Sequence, residues 1–228
     1  MGNAAALTAG NRMPARVARM QIDREALLAC SATPGRLVTI AIAGVIAQSV
    51  QRPAPYDVPI YGLAEPAWRA LLARHFPHWR SPPPLRQDMG TASDSMPLCA
   101  MGCTHDDARP GATFDEYADL VELFAEHCQP SADDDTDADA AALHRALATA
   151  CMGANHLWQD MGLPSRAHLS RLLAEYYPRL VERNAEDMKW KKFLYRMLCD
   201  RAEVSLCKAP SCDVCSDRPL CFGPEAAC

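Results

Sequence analysis

Apolar residues along this chain recur every three to four positions in several segments, a spacing typical of amphipathic helices. The first segment begins near Ile22, and the apolar run from Leu37 to Val50 predicts a buried helix that is too short to cross a bilayer. Similar stripes predict helices over residues 67–76, 113–127, 140–154 and 165–177, and a last helix that carries the apolar residues 188–198. No segment alternates between apolar and polar residues as a strand would, so the fold class we predict is an all-α helical bundle.

Segments without this periodicity divide the chain into three predicted parts. Residues 1–20 are expected to form a loose N-terminal tail, residues 21–206 the helical domain, and residues 207–228 a cysteine-rich loop and tail. Within the helical domain, irregular linkers are predicted near 52–66, 80–97 and 129–139. The acidic run from Asp133 to Asp139 is interpreted as a solvated linker that caps the next helix. His75 and His78 flank Pro77 and are interpreted as surface histidines.

Composition narrows the classes of function. The chain has 228 residues, a hydrophobic content of 49% and a formal net charge of -5, so it has enough apolar residues for a core and no basic excess for binding nucleic acid. It contains eleven cysteines, an odd number, and opens without a signal peptide. We therefore expect a protein of the reducing cytoplasm, with no membrane or nucleic-acid partner.

The most informative feature is a group of four cysteines near the C-terminus, Cys207, Cys212, Cys215 and Cys221, spaced C-x4-C-x2-C-x5-C. Tetrahedral zinc sites usually use two C-x-x-C pairs held well apart, and this segment has one such pair. The first three thiols match the C-x4-C-x2-C spacing of plant-type ferredoxins, in which the ligands surround a larger inorganic core. The spacing favours an iron-sulfur-type core, with structural zinc as the alternative.

Other cysteines are weaker candidates. Cys99 and Cys103 would share one helical face, but Gly102 weakens a helix there, and small buried thiols are common in cores. A second metal site at this pair is therefore less favoured than a structural role.

Three segments in the C-terminal part of the chain form a combined pattern. They are residues 151–163 with His156-Leu157-Trp158, residues 184–200 with the run 188–193, and the four-cysteine motif followed by residues 222–225. Together these three segments resemble the NifQ family. The resemblance implies a molybdenum carrier of nitrogen-fixing bacteria, which holds molybdenum in a mixed iron-sulfur cluster for assembly of the nitrogenase iron-molybdenum cofactor. It further implies that the four cysteines bind a [4Fe-4S] or Mo-Fe-S cluster, that molybdate is a metal source, and that the scaffold and the iron protein of cofactor assembly are partners.

A transferable metal needs an exchangeable ligand, and His156 is the first candidate, followed by Cys151 and Cys199. The alternative for His156 is a structural role, in which it donates a hydrogen bond to a backbone carbonyl and packs beside Trp158. Cys151 and Cys199 lie on apolar stripes, where buried thiols are ordinary.

Several basic residues lie near the cysteines in the sequence: Lys189, Lys191, Lys192, Lys208 and Arg218. Two interpretations stay open for them, namely that they offset the negative charge of a cluster or that they form a solvated helix face. The second class of function is a helical interaction or regulatory protein with structural zinc. An enzyme is disfavoured because no nucleophile-base pair or phosphate-binding loop is visible.

Overall fold

The computed structural model describes residues 22–80, 116–129, 134–203, 212–216 and 218–225, and these residues contain helices and no strands. The predicted all-α class is confirmed for this part of the chain. The helices are α1 (Arg24–Ala29), α2 (Leu37–Ala47), α3 (Glu65–His75), α4 (Glu116–His127), α5 (Asp134–Cys151), α6 (Leu157–Asp160), α7 (Arg166–Tyr176), α8 (Pro178–Arg183), α9 (Trp190–Arg201) and α10 (Arg218–Phe222). Short 3-10 turns cover Ser49–Gln51 and Cys212–Val214.

Helix α2 forms the centre of the core. It is apolar around its whole circumference, and Ala41, Ile42, Val45 and Ile46 are completely buried, as expected for a helix that other elements surround on all sides. It packs against α1, α5 and α7, while α5 also packs along α4. The predicted buried helix at Leu37 is therefore confirmed.

Two glycines allow α2 to touch the turn after α6. A Cβ at Gly44 would overlap the carbonyl oxygen of Met161, and a Cβ at Gly162 would lie 2.7 Å from the Cα of Gly44. Gly162 also has a φ of +60°, in the left-handed region that favours glycine. The two backbones are in direct contact because neither residue has a side chain.

The predicted acidic linker near 129–139 is wrong over most of its length, because α5 already begins at Asp134. Asp139 is completely buried, and its carboxylate accepts hydrogen bonds from Arg36, Arg74 and His75. Burial alone would raise the pKa of Asp139, but the hydrogen bonds from His75 and Arg74 outweigh it and hold that pKa below its ordinary value. Three distant donors from α3 and the start of α2 therefore keep this part of the acidic run inside the protein.

The interpretation of His75 as a surface histidine is likewise wrong, whereas His78 is exposed as predicted. His75 is completely buried, with its Nε2 2.9 Å from Oδ1 of Asp139 and its Nδ1 3.0 Å from the hydroxyl of Thr39. Sequence spacing alone could not identify these partners, which are far apart along the chain.

Other boundaries differ by small amounts. The start of the helix predicted over 113–127 lies outside the described residues, as do the tail 1–20 and residues 81–97 of the predicted linker. The segment after Pro178 forms the additional helix α8, with Pro178 in its first turn, where the missing N–H of proline costs nothing. None of the helices in the described residues is both long and apolar enough to span a membrane.

Candidate metal centre

Three of the four motif cysteines lie in the described residues, and Cys207 lies outside them. Cys212 begins a 3-10 turn, and the N–H of Cys215 donates to the carbonyl of Cys212 at 3.3 Å. Arg218 N–H in turn donates to the carbonyl of Cys215 at 3.2 Å, and Cys221 lies in α10. Each of the three residues is half-buried and forms no disulfide with another described cysteine, so its sulfur is accessible to a metal without unfolding of the core.

The C-terminal end of this segment is attached to the helical core by main-chain and side-chain contacts. The N–H of Lys189, just before α9, donates to the carbonyl of Cys221 at 2.8 Å. Arg166 at the start of α7 donates to Glu225 at 3.3 Å and to the carbonyl of Met188 at 3.0 Å. These contacts hold Cys221 against the start of α9, an arrangement that the sequence spacing did not predict.

Arg196 of α9 also contacts the cysteine segment. Its Nη1 lies 3.1 Å from the Sγ of Cys212, a hydrogen-bond distance for a sulfur acceptor. Sequence reasoning missed Arg196, although a signal existed: it lies four residues after Lys192 and three before Cys199, so these residues share one face of α9.

His156 lies at the N-terminus of α6, where its own N–H donates to Oε1 of Gln159 at 3.1 Å. Its Nδ1 is 3.9 Å from Oε1 of Glu225, the residue that Arg166 also contacts. The imidazole is 31% exposed, whereas the Glu225 side chain is 5% exposed. His156 therefore lies beside the chain that follows Cys221, in a position compatible with either of its two predicted roles.

Lys191 has neither of the two roles considered for it, because it is buried. Its Nζ lies 2.5 Å from Oδ2 of Asp160 and donates to the carbonyl of Gly153 at 2.8 Å. Asp160 also accepts from the main-chain and side-chain N–H groups of Asn155. Lys191 is thus neutralised by Asp160, and it joins α9 to the segment around α6.

The remaining predicted cations differ in surroundings. Arg218 lies over the ring of Phe222, 4.6 Å from its centroid, and 3.9 Å from a carboxylate oxygen of Glu186. Lys189 and Lys192 are half-exposed, and Lys208 lies outside the described residues. Arg196, which was not among the predicted cations, brings its guanidinium to the sulfur of Cys212.

Cys151 and Cys199 lie in different environments. Cys151 is buried at the end of α5, and burial raises the pKa of its thiol to about 12, with a smaller opposing effect of Lys191. Because the thiolate is the metal-binding form, this environment disfavours Cys151 as a ligand. Cys199 is half-exposed on the face of α9 that carries Arg196, rather than inside the apolar stripe.

The described residues include no group of three or more histidine, cysteine or acidic side chains already arranged around one point as a metal site. Cys99 and Cys103 lie outside the described part of the chain, so their predicted pairing stays a prediction. The donor set fits a soft metal or an iron-sulfur core nevertheless, because accessible cysteine sulfurs on a turn-forming segment are ligands that such groups prefer.

The fold and this segment together define a helical protein with a cysteine-rich C-terminal segment held against its last long helix. The family model described as NifQ matches residues 41–223, from within the core helix α2 to just after the last motif cysteine. The chain belongs to the NifQ family.

Individual relatives support this family over a shorter stretch. The chain is 51% identical over 79 residues to "Protein NifQ" of Rhodobacter capsulatus, which covers 35% of this chain and 44% of that relative. It is 47% identical over 79 residues to "Protein NifQ" of Azotobacter vinelandii, or 35% of this chain and 40% of the relative. It is 45% identical over 86 residues to "Protein NifQ" of Klebsiella pneumoniae, or 37% of this chain and 51% of the relative. The chain thus spans about half or less of the length of these curated relatives, and no solved structure matches it.

Proposed function

We propose that this protein takes part in nitrogen fixation as a molybdenum carrier for iron-molybdenum cofactor assembly. In this proposal Cys207, Cys212, Cys215 and Cys221 bind an iron-sulfur cluster of the [4Fe-4S] or Mo-Fe-S type, which is cargo to be delivered. The observation that carries the proposal is the position of Cys212, Cys215 and Cys221, which lie half-exposed on one short segment anchored to α9 at Cys221. Membership of the NifQ family supports it independently.

The placement of the thiols suits a carrier. Thiolates are the soft ligands that iron-sulfur cores and sulfur-bound molybdenum prefer, so the donor set matches the cargo. Cys212 and Cys221 pack on the outside of the core and are not part of its buried interior, which contains α2, so the segment could open to release cargo while the helices stay folded. Cytoplasmic location and a non-enzymatic role belong to the same proposal.

Protein partners are expected to approach the cysteine segment. Val214 and Leu220 are large apolar side chains of this segment, and they are 69% and 63% exposed. Exposed apolar groups beside the ligands suit contact with a receiving protein. We propose that the scaffold and the iron protein of cofactor assembly are these partners, with molybdate as the source of molybdenum.

Metal analysis of anaerobically purified protein tests the proposal. We expect a brown protein that contains iron and, after supply of molybdate, molybdenum. Cys212→Ala should lose most of its iron while the helical circular dichroism persists, and Cys30→Ala should retain iron because Cys30 lies at the end of α1, outside the motif. Full iron occupancy in Cys212→Ala would overturn the assignment of ligands.

The alternative is a structural zinc site in an interaction or regulatory protein. The turn from Cys212 to Cys215 favours structural zinc, because zinc sites also use turns of the C-x-x-C type. A colourless protein with one zinc, which unfolds when the zinc is chelated, would support this alternative against the carrier.

A genetic test separates delivery from chemistry. In a nitrogen-fixing strain that depends on this protein, loss of the protein should reduce nitrogen fixation when molybdate is scarce and have little effect when molybdate is plentiful. A carrier only raises the supply of molybdenum, so an excess of molybdate can replace it. A catalyst or scaffold could not be replaced in this way. A defect at all molybdate concentrations would point to a catalytic or scaffold role.

A further inference from the structure

Arg196 is an exposed arginine on the last long helix, and its guanidinium meets a motif cysteine. Nη1 of Arg196 lies 3.1 Å from Sγ of Cys212, although sixteen positions separate the two residues in the chain. Cys212 occupies the start of the 3-10 turn that leads to Cys215. The contact therefore joins α9 to the part of the motif where two of the four cysteines lie close together in sequence.

The position of Arg196 is determined by the packing of α9. Phe193, Leu194, Met197 and Leu198 are buried and orient the helix on the core. Buried Lys191, paired with Asp160, holds the first turn of the same helix. Arg196 projects from the opposite face, and the Lys189 N–H bond to the carbonyl of Cys221 holds the far end of the cysteine segment at the start of that helix. The cysteine segment is thus attached to α9 at two places, by main chain at Cys221 and by side chain at Cys212.

A guanidinium at a cysteine sulfur has two physical effects. It donates a hydrogen bond to the sulfur, which favours the orientation that the side chain has in the contact. Its charge, which persists at any physiological pH, stabilises negative charge on the sulfur and on whatever the sulfur binds. Hydrogen bonds to ligating sulfurs and local charge are among the factors that determine the reduction potential of an iron-sulfur cluster.

We propose that Arg196 is a positioning residue for the cluster: it holds Cys212 in place for binding and stabilises the reduced, more negative state of the bound cluster. The inference rests on the proposed function, since it concerns the same four cysteines. Arg218, which the motif itself contains, lies over Phe222 and near Glu186. The structure thus assigns this task to a helix residue outside the motif.

The test uses the full chain purified anaerobically with its cluster, as wild type, Arg196→Gln, Arg196→Lys and the control Arg69→Gln. Arg69 is an exposed arginine that pairs with Glu65 of its own helix, so its replacement removes the same charge away from the cysteine segment. Two quantities are measured for each protein: the midpoint reduction potential, by stepwise reduction followed by absorbance and electron paramagnetic resonance, and the rate of iron loss to a ferrous chelator. Circular dichroism checks that each variant is folded.

For Arg196→Gln we expect the ratio of reduced to oxidised cluster at a fixed potential to fall about tenfold. For a one-electron couple this corresponds to a midpoint potential that is lower by about 59 mV. We also expect iron loss to be about tenfold faster, as for other changes next to a metal ligand. Arg196→Lys keeps the charge but not the planar guanidinium, so it should recover part of both changes. Arg69→Gln should match the wild type.

Equal potentials in Arg196→Gln and Arg69→Gln would overturn the inference, even if the Arg196 variant lost iron faster, because a purely structural contact would change retention without changing the potential. A wild-type protein that contains no iron would instead overturn the proposed function, and this inference with it. That result is obtained before any variant is compared, so the two failures are distinguishable.

Discussion

Lys191 and Asp160 form a buried ion pair between α9 and α6, with Nζ 2.5 Å from Oδ2 and the two side chains 4% and 7% exposed. Lys191 also donates to the carbonyl of Gly153, and Asp160 accepts from Asn155, so both charged groups have further hydrogen-bond partners. Such a buried and fully hydrogen-bonded pair fixes the positions of α9 and α6 relative to each other. If the helices moved apart, each charge would stay buried without its partners. The pair places α9, and with it Arg196, relative to the segment that contains His156.

Breaking this pair should be costly. Lys191→Met leaves the Asp160 carboxylate buried without its cation, and we expect the free energy of unfolding to fall by about 3–5 kcal/mol, as for other broken buried pairs. Urea denaturation measures the change, with half-exposed Lys192→Met as the control. The double variant Lys191→Met with Asp160→Asn should lose less than the sum of the single variants, because the two effects share one interaction. A loss in Lys191→Met no larger than in the control would contradict the ion pair.

The contact between Gly44 and Gly162 should tolerate no side chain. Gly44→Ala places a methyl group on the carbonyl oxygen of Met161, and Gly162→Ala adds a Cβ at a φ of +60° against the backbone of Gly44. We expect each to lower the free energy of unfolding by about 1–3 kcal/mol through overpacking and strain. Gly35→Ala is the matched control, because a Cβ there meets nothing within 4 Å, and it should stay within about 0.5 kcal/mol of wild type. Equal melting temperatures for all three variants would refute the close approach.

His144 should make the stability of the protein depend on pH. Burial lowers the pKa of His144 from 6.5 to about 4, with a smaller contribution from Arg145, and its ring lies against that of Tyr177. The unfolded chain therefore binds more protons than the native protein between pH 4 and 6.5, so stability falls as the pH is lowered through this window.

Replacing His144 by leucine should flatten the dependence of the free energy of unfolding on pH between about 4 and 6.5, a window given by the native and unfolded pKa values. Exposed His78→Leu should keep the wild-type profile. Asp139 contributes at lower pH, because its pKa is held below its ordinary value of 3.8. A profile of His144→Leu that is parallel to wild type throughout the window would show that His144 is not the group responsible.

His156 is expected to act through structure. It begins α6, bonds to Gln159 and lies beside Glu225, contacts that explain its position without a metal. His156→Ala should therefore keep the iron and molybdenum contents of wild type, measured by elemental analysis, and should deliver molybdenum at a similar rate. Loss of molybdenum with iron retained would identify His156 as the exchangeable ligand instead.

Much of the helical architecture follows from local sequence. The apolar periodicity of α2, α3 and α7 predicted their positions closely, because an amphipathic stripe is a local property and burial of that stripe is what the core requires. The misinterpreted acidic run shows the limit. Five aspartates within residues 133–139 suggested solvent, yet Asp139 is buried because Arg36, Arg74 and His75 come from elsewhere in the chain to meet it.

The sequence by itself determined the helical class, the family and the spacing of the four cysteines, since these depend on residues that are near one another in the chain. Only the tertiary structure decided that the side chain of Arg196, and not that of Lys191, reaches a cysteine sulfur, and which glycine backbones touch. The sequence does not show which of the charged residues on one helix will contact a given partner. That depends on how the helix is rotated about its axis where it packs on the core. That rotation results from the packing of α9 and from the pairing of Lys191 with Asp160, thirty-one positions earlier in the chain.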